Sequence, residues 1–242
     1  MENGWNIDKP ESLAWADVMQ GILESIPILL GVIPFGIACG IMGLSAGLTA
    51  LEVVLMSMLV FAGASQFVSI TMLAQGVTNA GLIALTTLLI NLRHLLMGAS
   101  LAPYINKLPA ALQALLAFGL VDETYAITIT KSQRDGYKPG YQLGSNLTAY
   151  CFWVFSTIIG AVLSSYIADP LAWGLDFAMP VTFLALLVPR ILDRKGFSVF
   201  CVSALAAVLG TAFLPGKWYI IIACLVAGLV GGLLEAGEND AA

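Results

Sequence analysis

The sequence predicts an all-α fold: a polytopic transmembrane helical bundle of about eight spans, with broken helices among them. Three observations carry that prediction. The 242 residues are 59% hydrophobic and only 10% charged, where a soluble domain carries about 25% charged residues. The mean hydropathy is +0.92, and several windows of about 20 residues, the length an α-helix needs to cross hydrocarbon, are almost free of charge. Finally, the segments are continuously apolar rather than alternating, which excludes a transmembrane β-barrel.

The spans follow in order, within a single transporter domain over 1–242. The amino-terminal segment, 1–15, is acidic and lacks the basic flank of a signal peptide, so the first apolar segment is expected to stay in the mature protein. The first span, near 16–46, is long and interrupted, with Pro27 and Pro34 both mid-segment. Proline removes a backbone donor and clashes with the preceding turn, and in a bilayer the freed groups need protein or an aqueous cavity to cover them. The second span, 49–76, is interrupted at 61-FAGASQF-67, around Gly63. The third and fourth, 80–105 and 109–130, carry charges discussed below. Spans at 142–168, 176–192, 197–213 and 217–235 complete the bundle, and 236–242 forms a tail.

The sixth span contains 177-FAMPVTF-183, with Pro180 at its centre. It aligns with 61-FAGASQF-67 as F-A-x-x-x-[QT]-F, which raises an internal repeat. Paired broken helices in two halves point to a transporter's binding site. With the amino terminus inside, seven of the ten basic residues fall in inside segments and two, Lys107 and Lys217, outside. The positive-inside rule then places both termini in the cytoplasm. Small-xxx-small spacings such as Gly36/Gly40, Ser156/Gly160/Ser164 and Gly228/Gly232 let helices approach closely, either within this chain or against a second membrane subunit.

A few polar groups sit at membrane depth, where a charge costs about 2.5–3.5 kcal/mol on insertion scales. Arg93 and His94, the only histidine, lie mid-way along the third span, with Asn91 one turn back from His94. Asp122 and Glu123 lie in the fourth, and Glu24 in the first. Counted from the cytoplasmic ends, Arg93 and the acid pair lie at similar depth. One acid is expected to pair with Arg93 and the other to support proton or substrate movement; Asp122 is assigned to the first role and Glu123 to the second. Glu24 and His94 are further candidates for ion pairing or proton coupling. Ser65, Gln66, Asn91 and Arg93 are candidates to bind substrate: amide, hydroxyl and loose backbone groups at a helix break suit a zwitterion, and a guanidinium favours a carboxylate. The structural alternatives are an Arg93 lock between two helices and a neutral, hydrogen-bonding His94.

The four cysteines are isolated in apolar segments, so neither a metal nor a disulfide is inferred. No cofactor is expected, and no basic patch exists for nucleic acid. Asn146 matches a glycosylation sequon but sits at membrane depth and is discounted.

These residues also carry a resemblance. IPFGIACG (33–40), FAGASQF (61–67), NLRHLLMGASLAP (91–103), DETYA (122–126) and LDFAMPVTFLALLVP (175–189) are similar, in order and spacing, to the signature blocks of the AzlC family. The resemblance implies the large subunit of a branched-chain amino-acid exporter in the bacterial inner membrane. It would work with a small AzlD-type membrane subunit and draw on the proton motive force. Valine, leucine, isoleucine and methionine are not separated as substrates. The rival readings are a non-transporting membrane partner and an intramembrane enzyme. For the latter the sequence offers no HExxH, paired-aspartate or serine–histidine arrangement.

Overall fold

The computed structural model describes residues 13–166, 184, 188, 191, 193–213 and 218–239. The second arm of the suggested repeat, with Pro180, lies outside these residues. The described part is helical, in two compact units: 1–78 with 90–178, and 79–89 with 179–242.

The first unit opens with α1 (Trp15–Leu29) and α2 (Val32–Ser45). The two are bent by 67° at a short break. The break is at Leu30 and Gly31, not at either proline that predicted it. Pro27 lies inside α1, where its ring deletes the hydrogen bond to the carbonyl of Leu23 and weakens the following half-turn. Pro34 lies in the first turn of α2, where its missing N–H would have had no intrahelical acceptor. The prolines flank the bend, and the helix gives way at the glycine between them.

The second predicted span is likewise two helices, α3 (Ala50–Leu59) and α4 (Gly63–Ala74). α3 starts on a reciprocal cap. The Thr49 hydroxyl accepts from the Glu52 amide at 3.2 Å, and the Glu52 carboxylate accepts from the Thr49 amide at 2.8 Å. Such a cap contributes about 1 kcal/mol. Between the helices Phe61 takes a left-handed backbone, φ 46°, which a residue with a Cβ adopts at a cost of about 1–2 kcal/mol. Burial offsets that cost. The Phe61 ring is 5% exposed and packs against Tyr150 and Phe118, with centroids 5.2 and 6.2 Å away.

α5 (Ala80–Ile105) has the boundaries predicted for the third span. The fourth span departs from its prediction. Instead of one helix over 109–130 there are two, α6 (Ala110–Phe118) and α7 (Asp122–Asp135). Two physical reasons account for the break. Gly119 lies so close to Asn146 that a Cβ there would come within 2.6 Å of that side chain. In addition, a break just before Asp122 puts both acids in the first turn of α7, where the helix dipole favours negative charge. Gly136, at φ 84°, ends α7. Met97, Leu101, Ile105, Leu108, Leu116 and Leu120 form a buried apolar cluster joining α5 to α6.

α8 (Pro139–Ser164) is the unbroken axis of this unit. α1 lies along its first half and α2 along its second, both through glycine. A Cβ on Gly21 would stand 2.2 Å from the Tyr141 carbonyl, and one on Gly144 2.1 Å from that of Val18. Further along, a Cβ on Gly40 would stand 2.4 Å from the Thr157 carbonyl, and one on Gly160 2.1 Å from that of Ile37. The Gly36/Gly40 and Ser156/Gly160 spacings therefore serve packing within the chain. In the second unit α9 (Arg194–Phe213) packs on α10 (Trp218–Asn239).

Among the described residues three single helices, α5, α8 and α9, are long and apolar enough to cross a membrane, and the bent α1/α2 pair makes a fourth if it is taken as one span. At about 1.5 Å per residue, α3 with its ten residues covers roughly half of a ~30 Å hydrocarbon core. α4, α6 and α7, at 12, 9 and 14 residues, are likewise each shorter than a helix that crosses alone.

Candidate functional site

Two polar systems meet around the break before α4. The first is a closed ring. Trp153 on α8 donates its indole N–H to Gln66 Oε1 at 3.0 Å. Gln66 Nε2 donates to Ser57 Oγ on α3 at 2.9 Å. The hydroxyls of Ser57 and Thr157 are 3.0 Å apart, and Thr157 donates back to the Trp153 carbonyl at 2.9 Å. Because the Thr157 proton goes to that carbonyl, Ser57 is the donor between the two hydroxyls. Gln66, Ser57 and Thr157 are at most 1% exposed. Each buried polar atom in the ring finds a partner, so the ring fastens α3, α4 and α8 together. Gln66, expected to face a zwitterion, has both ends of its amide engaged here.

The second system is open. Ser65, in the first turn of α4, donates to the Ala62 carbonyl at 2.9 Å and accepts from Asn91 Nδ2 at 3.2 Å. Asn91 Oδ1 is buried with no hydrogen-bond partner among the described residues, and so is Arg93 Nε. The terminal guanidinium of Arg93 pairs with the Asp122 carboxylate at the start of α7. Asp122 is only 10% exposed, so either charge alone would be costly to keep there. Glu123, its neighbour in the first turn, projects about 100° away around the helix. His94 Nδ1 sits 3.3 Å from the Asn91 carbonyl within α5, an intrahelical contact that leaves the ring beside the open system.

Glu24 is elsewhere. It accepts from Gln20 on α1 at 2.7 Å, from the Tyr141 hydroxyl at 3.0 Å and from Lys131 at 3.4 Å. It therefore joins α1, α7 and α8 and does not meet Arg93. Lys131 also pairs with Asp135 at 3.0 Å. That bond raises the lysine's pKa and lowers the aspartate's, so both stay charged.

The structure thus brings Ser65 to Asn91 and Arg93 to Asp122, and takes Gln66 and Glu24 into other networks. Sequence reasoning missed Trp153, Ser57 and Thr157. Their partners are 87 and 100 residues away, and no local pattern marks them. The break before Asp122 left only a partial signal, a glycine that can end one helix and, three residues on, two acids that suit the first turn of another.

Residues 27–167 match the AzlC protein family. The chain is 33% identical over 229 residues to the inner membrane protein YgaZ of Escherichia coli, covering 91% of each. It is 30% identical over 223 residues to an uncharacterized membrane protein of Archaeoglobus fulgidus, covering 91% of this chain and 95% of that one. It is also 30% identical over 185 residues to the branched-chain amino acid transport protein AzlC of Bacillus subtilis, covering 76% and 72%. No solved structure matches.

Proposed function

The chain belongs to the AzlC protein family of transport-associated membrane proteins, and from that premise we propose that it is the large subunit of a secondary transporter exporting branched-chain amino acids. The name of the Bacillus subtilis relative supports the substrate class. The observation that carries the reading is the pair of unpartnered atoms on α5: an acceptor, Asn91 Oδ1, and a donor, Arg93 Nε, two residues apart. A free amino acid is a zwitterion and offers each of them its complement. Its carboxylate accepts from Arg93 Nε–H, and Asn91, about 200° further round α5, turns its oxygen to an ammonium group on the side of the helix that meets Ser65. Ser65 holds the Asn91 amide by its nitrogen, so the oxygen is the end presented. Asp122 holds the far end of the guanidinium, so the Nε edge is the end left over.

Transport proceeds by alternating access about the breaks at Leu30–Gly31 and Val60–Ala62, where α2 and α4 can tilt without stretching a continuous helix. The proton motive force drives it, with Glu123 as the acid that moves the proton. A small AzlD-type subunit completes the transporter, and both termini are cytoplasmic by the positive-inside rule.

The test is efflux of labelled leucine, valine, isoleucine and methionine from proteoliposomes bearing this chain, with and without the small subunit and with and without a proton gradient. Gradient-dependent efflux that needs both subunits is expected. Undiminished efflux from this chain alone would remove the partner, and no efflux from the pair would remove the transport reading. Glu123→Gln is expected to keep normal membrane abundance and to lose the response to the gradient; a retained response removes Glu123 from the mechanism.

A further inference from the structure

Hydroxyls inside helices ordinarily bond back to the carbonyl one turn earlier. Ser45, Ser69, Thr86 and Thr148 do so, at 2.8–2.9 Å. Four buried hydroxyls have neither that bond nor another. Those of Ser25, Thr128, Ser132 and Ser145 have no hydrogen-bond partner among the described residues, and none of the four residues is more than 2% exposed.

Their placement is not scattered. Ser25 is on α1, Thr128 and Ser132 are on α7, and Ser145 is on α8, and these three helices pack on one another. Each hydroxyl lies within a turn of a residue that bridges the same three helices. Ser25 adjoins Glu24, Thr128 and Ser132 flank Lys131, and Ser145 is one turn beyond Tyr141. Glu24, Lys131 and Tyr141 are joined by the Tyr141–Glu24 bond at 3.0 Å and the Lys131–Glu24 pair at 3.4 Å. Lys131 Nζ also sits 5.3 Å from the centre of the Tyr141 ring.

A buried hydroxyl that has turned away from its own helix needs another partner. Four in one seam need something that both donates and accepts. A cation would take only the hydroxyl lone pairs and leave their protons without acceptors, beside the Lys131 ammonium, while the adjacent acid, Glu24, already accepts from Lys131, Tyr141 and Gln20. Water meets the requirement, because each molecule makes two to four hydrogen bonds to polar walls. We propose that the seam between α1, α7 and α8 is a hydrated cleft, holding a file of water molecules bound to the hydroxyls of Ser25, Thr128, Ser132 and Ser145. Its mouth is the Glu24–Lys131 pair, where the Glu24 side chain is 44% exposed. The deep end lies towards Asn146, whose amide nitrogen caps the Leu116 carbonyl at 2.9 Å while its Oδ1 is unpartnered among the described residues. The cleft is separate from the Asn91–Arg93 system and does not depend on what the chain carries.

The test is water accessibility in native membranes. Cys39, Cys151, Cys201 and Cys224 are first replaced by alanine. Ser25→Cys, Thr128→Cys, Ser132→Cys and Ser145→Cys are then introduced singly and treated with 2-aminoethyl methanethiosulfonate, a small hydrophilic thiol reagent. Ser57→Cys and Thr157→Cys, in the closed ring, are the dry references. The four seam cysteines are expected to react about tenfold faster than the references, since thiol reactivity follows access to water. Equal, slow reaction at all six positions overturns the cleft, and slowing by sodium relative to choline overturns water as its occupant. A second measurement covers the case in which a cysteine variant does not fold. The combined variant Ser25→Ala, Thr128→Val, Ser145→Ala loses hydrogen bonds to water if the cleft is wet, and its melting temperature falls. In a dry seam the same change removes unpaired groups and leaves the melting temperature equal or higher, which overturns the proposal.

Discussion

The two polar systems beside α4 use the same kinds of groups, amides and hydroxyls, to opposite ends. The ring through Trp153, Gln66, Ser57 and Thr157 closes on itself, with each donor matched to an acceptor. The system on α5 stops short, leaving an acceptor at Asn91 and a donor at Arg93 without partners among the described residues. A closed network gains nothing from a ligand and contributes only rigidity. An open one is stabilised by whatever brings the missing partners. Residue type alone does not distinguish them, since Gln66 and Asn91 carry the same functional group.

Substitutions can break that contrast, and the largest effect is expected at its charged edge. Asp122→Asn removes the carboxylate from the Arg93 pair and strands a cation that is mostly buried. Breaking a buried pair costs about 3–5 kcal/mol, so folded protein in the membrane is expected to fall sharply, as quantitative blotting or fluorescence size-exclusion would read. Wild-type abundance would mean that Arg93 is held by something other than Asp122.

The ring comes next. Trp153→Phe keeps most of the aromatic volume but deletes the indole N–H, leaving Gln66 Oε1 buried and unpaired. That costs about 1–3 kcal/mol. The melting temperature is expected to drop, with flux per folded molecule close to wild type. Loss of flux without loss of stability would place the ring in the transport path and erase the distinction drawn above.

Asn91→Ala is expected to be milder for the fold, at about 1 kcal/mol, because it removes a single bond to Ser65. Its effect on flux should be severe, through weaker binding of substrate. Arg93→Lys should change abundance least, since the charge opposite Asp122 remains. Lysine has no Nε–H edge and cannot hold a carboxylate and Asp122 together, so flux should be largely lost. Wild-type flux in the lysine variant would exclude the guanidinium from substrate contact.

Much of this was legible in the sequence, because the cost of placing a group in hydrocarbon leaves marks along the chain. Apolar windows located the described spans, and the 80–105 limits of α5 match. The polar insertion FAGASQF located the break at 60–62. The bend falls between Pro27 and Pro34, inside the interrupted stretch, but at neither ring, because a proline disrupts one hydrogen bond and the helix can run on to the next weak point, here Gly31. The break at 119–121 was overlooked because an apolar run ending in acids also reads as a helix approaching the membrane surface; only Asn146, pressed against Gly119, decides between the two. What could not be read at all were the partners of Gln66. Hydrogen bonds across 87 or 100 residues depend on how helices are turned against one another, and helix rotation is set by packing.

The long glycine-lined contact between α8 and the bent α1/α2 pair also has a consequence in time. Gly21 and Tyr141 touch but are separated by about 120 residues of chain, which a ribosome adding ~5–20 residues per second takes roughly ten seconds to make. For that interval the first two helices sit in the bilayer without the surface they are shaped to meet, their glycine faces open to lipid or to a chaperoning partner. Assembly of the first unit must therefore wait for α8, and a nascent chain arrested before residue 139 should expose the α1/α2 face that the finished protein hides.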